Sequence, residues 1–201
     1  MLNNAMTLIR NELRNYFQAD IGLSTVPDIE LGNIGLLETE NGDNLGNRII
    51  LTLVNIEEES TLKNLPNFKK DLPRIDYIEP PVFLNLYLLF SCNFDLYETA
   101  LIHLSSVIRF FQSRKKLSGA NSTVVDLGDL SPQNPGLLDL QLAFELYTLT
   151  FEQINHLWGA LGGKQIPSVM YKVRLVSISE RDVLREAPLI DEVQSQKNAT
   201  N

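Results

Sequence analysis

The stretch from Val82 to Ser91 constrains the fold of this chain most. Val82, Leu84, Leu86, Leu88 and Phe90 alternate with Phe83, Tyr87 and Leu89, so a strand formed here is apolar on both faces. Such a strand belongs in the middle of a sheet that is covered on each side. With Asn85 inside it and a length near half of what a bilayer needs, it does not read as a membrane span. The chain must therefore supply helices for two faces.

It does. Met6, Ile9, Leu13, Tyr16 and Phe17 recur at helical spacing, with Arg10, Asn11, Glu12 and Arg14 opposite, which predicts an amphipathic helix. Asn3 or Asn4 is its expected cap, and Gly22 lies past its end. Extended stretches are expected at 27–31 and 47–56, with the Asn41-Gly42 turn between them. After the central strand, Asp95 and Glu98 look like a capping box. The helix they open carries Tyr97, Leu101, Leu104, Ile108 and Phe111 on one side and ends near Arg114-Lys115-Lys116. His103 falls off that stripe and is expected at the surface. A further strand spans 140–149, with Leu140, Leu142, Phe144 and Leu146 inward and Gln141, Glu145 and Tyr147 outward. Thr150 with Gln153 caps a helix striped by Ile154, Leu157, Trp158 and Leu161, and Gly162-Gly163 stops it. A last strand is expected over 169–178.

Two segments read as long loops. Residues 57–81 open on Glu57-Glu58-Glu59 and carry Pro66, Pro73, Pro80 and Pro81, and residues 118–137 are rich in Gly and Pro. The first exceeds the about 12–15 residues usual for a structureless connection, so it is read as either a mobile insertion or a contact loop. The fold class is α/β (α+β): a mixed β-sheet flanked by helices, with these two loops. Residues 1–180 form the domain and 181–201 a short polar tail, read as a short helix or loose segment.

Charge and motifs exclude most chemistry. The chain has 25 acidic and 17 basic residues, a net charge of -8, the wrong balance for a nucleic-acid backbone or an anionic membrane. Cys92 is the lone cysteine, so a disulfide scaffold is excluded and a buried thiol expected. No secretory signal is visible, the sequons at Asn121 and Asn198 are read as chance, and synthesis is expected in the cytoplasm. The run Gly159 to Gln165 resembles a phosphate loop, but Trp158 stands at the first glycine position, Gln165 replaces the hydroxyl, and the glycines follow a helix. His103 and His156 belong to no ligand spacing, and no nucleophile elbow exists. No catalytic, metal or cofactor site is expected.

Two blocks do carry a resemblance. One runs from Val82 to Ser91 and on through Leu104 to Gln112. The other joins Phe144-Glu145-Leu146, the run Glu152-Gln153-Ile154-Asn155-His156-Leu157-Trp158, and Pro167-Ser168-Val169-Met170-Tyr171-Lys172-Val173-Arg174. Together they resemble the N-terminal domain of the cap, or tail-terminator, proteins of phage-tail-like contractile injection systems such as the Photorhabdus virulence cassette and the antifeeding prophage. The resemblance implies a structural subunit, not an enzyme. It implies a ring, expected to be hexameric, at the particle's distal end, which touches sheath and inner tube, with a second cap protein as a further possible partner. The particle is either released or membrane-anchored. Trp158, Leu157 and Tyr171 are expected in the core, whereas Glu152, Lys172 and Arg174 are candidate partner-contacting residues. Two alternatives stand beside this reading: an adaptor to an envelope or plug component, and an unrecognised small hydrolase or nucleotide-binding enzyme.

Overall fold

The computed structural model describes residues 2–19, 26–37, 45–59, 68–71, 74–78, 82–119, 122, 140–178 and 183–188. Among these residues, three helices, α1 (Leu2–Ala19), α2 (Tyr97–Ser113) and α3 (Phe151–Ala160), accompany nine strands. These are β1 (Asp28–Leu31), β2 (Arg48–Glu58), β3 (Phe68–Asp71), β4 (Arg74–Ile78), β5 (Val82–Asn93), β6 (Lys116–Ser118), β7 (Gln141–Tyr147), β8 (Ser168–Ile178) and β9 (Val183–Pro188).

Six strands form one mixed sheet in the order β1-β2-β5-β8-β7-β6. The doubly apolar strand β5 lies inside it, between β2 and β8. All its pairings are antiparallel except that of β1 with β2, which is parallel. The β1–β2 connection is therefore a crossover, and it carries a 3-10 turn at Ile34–Leu36. Thr52 ties that turn down: its hydroxyl donates to the Gly32 carbonyl at 2.6 Å and accepts from the Ile34 amide at 3.2 Å.

Helices cover the sheet unequally. On one face α1 and α2 bury Leu86, Leu88, Phe90, Cys92, Val173 and Leu175 in the larger core. On the other, α3 lays Trp158 over Ile50, Leu89 and Met170. The Thr150 capping box is formed, with both reciprocal bonds present. Gly162 and Gly163 adopt positive φ, and the Gly163 amide donates to the Trp158 carbonyl at 2.7 Å, closing the helix.

Several expectations are corrected. Asn3 and Asn4 lie inside α1, which begins at Leu2, so neither is its cap. Asp95 does not cap α2; it exchanges two bonds with Asn47, at 2.8 and 3.1 Å, and pins the start of β2 to the end of β5. Residues 57–81 are not one loop, because they hold the end of β2 and the β3–β4 hairpin. Beyond residue 180 a strand, β9, stands where a short helix or loose tail was expected, and it pairs with β4 in a second, three-stranded sheet. Pro66, Pro73, Pro80 and Pro81 suggested a break in structure, but a hairpin needs only short clear runs between such residues. The Asn41-Gly42 turn, Gly22 and nearly all of 119–137 lie outside the described residues.

The buried face of α2 is also different. Ala100, His103, Ser106, Val107, Phe110 and Phe111 are buried, whereas Tyr97, Leu101 and Ile108 are exposed. This helix carries apolar residues on two sides, so periodicity offers two faces. Aromatic packing selects one: Phe111 meets the rings of Phe90, Phe144 and Tyr171 at 5.0, 4.6 and 4.6 Å, and Phe110 meets Tyr16 at 5.2 Å. His103 is consequently 4% exposed, between the rings of Phe17 and Phe94. Glu12, expected on the polar side of α1, is 2% exposed. It accepts from Arg114 at 2.8 Å and from the Ser122 hydroxyl at 2.6 Å.

Candidate interaction surface

Alternation along β8 puts Met170, Lys172 and Arg174 on one face of the sheet. Helix α3 covers Met170 only. Lys172 lies opposite Tyr87 and Glu145, and Arg174 opposite Asn85 and Ala143. This half of the face is polar and, among the described residues, no helix lies on it, although Asn85 is 2% exposed there.

A small network organises it. The Tyr87 hydroxyl donates to Glu57 at 2.7 Å, and the Lys172 ammonium lies 3.7 Å from the same carboxylate and 5.7 Å over the Tyr87 ring. The hydrogen bond to Glu57, ahead of burial, pushes the Tyr87 hydroxyl up to about 12, so it remains a donor. Asn85 donates to Glu59 at 3.0 Å. The Glu57-Glu58-Glu59 run is thus joined to the sheet through two of its carboxylates, and no group of residues suited to a metal ion occurs among the described residues.

Arg174 leads towards the sheet edge. There Lys115, Lys116, Phe144, Leu146, Ile108 and Phe111 line a groove of about 660 Å³ between α2 and β7. A second groove, lined by Arg114, Glu12 and Ser122, shares Lys116, Ala143 and Arg174 with it. Leu146, expected to point into the core, is 54% exposed because it lies where the sheet runs out beyond the short β6. A third hollow continues round Leu146 to Tyr97, Leu101 and Leu104 of α2 and to Trp158.

The structure brings Lys172 and Arg174 together and leaves Glu152 apart. Glu152 is exposed on α3 beside Phe151, which is 92% exposed, and does not line the groove. Trp158 and Tyr171 are buried as expected, and Leu157 is half-buried against the Trp158 cluster. Sequence reasoning missed Lys115, Lys116 and Leu146. The signal available was the second apolar stripe of α2, which no single helix–sheet contact can bury. Chemistry of the nucleophilic kind finds no support in Cys92: burial pushes its thiol up to about 12, the reverse of thiolate activation.

Residues 5–192 match the family model described as the Pvc16 N-terminal domain. The chain belongs to that family. Two solved structures share the fold. The sheath/tube terminator of the PVC extracellular contractile injection system, in its extended state, has a TM-score of 0.62 at 15% identity, covering 100% of this chain and 64% of that one. The tube-terminating cap of the anti-feeding prophage has a TM-score of 0.59 at 16% identity, covering 98% of this chain and 60% of that one. This member of the Pvc16 N-terminal family therefore spans less than two thirds of the length of either relative. No curated protein matches its sequence. No described helix is long and apolar enough to cross a membrane.

Proposed function

We propose that this chain is a structural cap subunit. It forms a ring on the distal end of a contractile injection system and ends the growth of inner tube and sheath. The observation that carries this is the family match over residues 5–192, on a fold shared with a sheath/tube terminator and a tube-terminating cap. The exposed Glu145 and Arg174 on the polar half-face and the apolar edge groove support it, because a subunit of a ring needs surface that its own fold leaves unsatisfied. In this reading the ring is closed, head-to-tail and six-membered, matching hexameric layers of tube and sheath. Glu152, Lys172 and Arg174 contribute to contacts, residues 1–180 are the assembling unit, and a second cap protein is a possible neighbour. The subunit is made in the cytoplasm and performs no catalysis.

Deleting the gene tests the proposal. Tube and sheath should still polymerise, but to uncontrolled or broken lengths in electron micrographs. Intact particles of uniform length would refute it, as would a map of the distal end that lacks this chain or shows it in a single copy.

A further inference from the structure

With 25 acidic and 17 basic residues, this surface offers carboxylates to almost any cation. Lys115, Lys116 and Arg174 nevertheless have no ion-pair partner among the described residues. They converge where the two edge grooves meet. Glu145 lines the same groove without an ion pair to any of the three, so the cations outnumber the groove's own carboxylate and call for further carboxylates from elsewhere.

The groove sets two further requirements. Its floor is apolar, made by Ile108, Phe111, Phe144 and Leu146. Its wall is a partly open strand: β6 pairs only with residues 141–143 of β7, and one more bond joins the Phe144 amide to the Lys115 carbonyl. From Glu145 to Tyr147 no strand flanks β7 on that side among the described residues. The occupant is thus an extended segment with neighbouring carboxylates set among apolar side chains, the chemistry of strand addition.

We propose that residues 189–193 of one copy of this chain bind in the edge groove of the next copy. In sequence, Leu189, Ile190 and Val193 flank Asp191 and Glu192. In an extended segment Leu189, Asp191 and Val193 share one face and Ile190 and Glu192 the other, so each face brings an apolar residue for the floor and one acid for Lys115, Lys116 and Arg174. Competing acidic runs fit less well. Glu57 and Glu59 already accept from Tyr87 and Asn85, and Asp126 and Asp129 lie in the β6–β7 connection, tethered at both ends. Residues 189–193 instead follow directly from β9, which belongs to the other sheet. A groove on one sheet and a segment leaving another are two different patches, as a head-to-tail ring requires. The inference rests on the ring reading above.

Assembled particles treated with a carbodiimide, which joins amines to carboxylates in direct contact, provide the test. The expected result is a ladder of this chain on a denaturing gel, with mass spectrometry of the dimer band showing Lys115 or Lys116 joined to Asp191 or Glu192. Loss of the ladder in Lys115→Gln/Lys116→Gln, with the chain still present in the particles, is also expected. Reversing the charges in Lys116→Glu/Arg174→Glu should abolish capping, and adding Asp191→Lys/Glu192→Lys should restore it. The proposal is overturned by an absent ladder, by these cross-links in the monomer band alone, by a ladder built from other residues, or by Lys115 and Lys116 joining Asp126 or Asp129. Each of those results leaves the cap reading standing, which the deletion phenotype decides separately.

Discussion

His103 is a histidine held among aromatic rings, and burial lowers its pKa below the ordinary 6.5. Its Nδ1 has no hydrogen-bond partner among the described residues. The unfolded chain takes up a proton near pH 6.5 and the folded protein does not, so stability is full above that pH and falls as pH drops below it. We expect the melting temperature of the native protein to fall more between pH 7 and pH 5 than that of His103→Phe; equal slopes would reassign the acid sensitivity. Glu12 poses the reverse case, a carboxylate buried with its charge matched by Arg114 at 2.8 Å. Arg114→Ala removes the cation matched to that charge and should cost about 1–3 kcal/mol, measured by denaturant unfolding. Neither burial was legible in the sequence. Both residues sit beside apolar neighbours in a helix, and which side faces inward depends on partners far along the chain.

Among the elements, β5 and α3 were legible and α2 was not. The two-faced alternation of β5 admits only an interior position, and Thr150, Gln153 and the glycine pair fix both ends of α3 by local bonds alone. Thr150→Ala should therefore cost about 1 kcal/mol, a change that thermal melts resolve. Phe144 faces Phe111 at 4.6 Å and is buried; Phe144→Ala should cost about 3–5 kcal/mol. By contrast, α2 has apolar residues on two sides, and sequence periodicity favoured the exposed one. Leu101→Ser and Ile108→Ser should accordingly leave the melting temperature within a few degrees of the native value. A large drop would place that stripe in the core after all. The pairing of candidate contact residues followed the same logic. Lys172 and Arg174 share a face because strands alternate, whereas no local rule could bring Lys115 and Lys116 to them from the end of a helix.

At the scale of the molecule, the class of fold was readable from the order of elements, but the second sheet was not. Nothing local in residues 68–78 announces a partner at 183–188, since that pairing is a property of the closed fold. Arg74 pairs with Pro188 and Ile75 with Ala187, so this small sheet joins the middle of the chain to a stretch made much later. On the ribosome the six-stranded sheet has all its strands once residue 178 has emerged, while the β3–β4 hairpin must wait for β9. During that interval the hairpin shows a strand edge to the cell with nothing to cover it, which is a hazard for an aggregating chain. The short length of both hairpin strands and the charges Lys69, Lys70, Asp71, Arg74 and Asp76 along them limit that hazard. A chain that stops before residue 183 therefore keeps every strand of its main sheet but leaves the β3–β4 pair without its third strand.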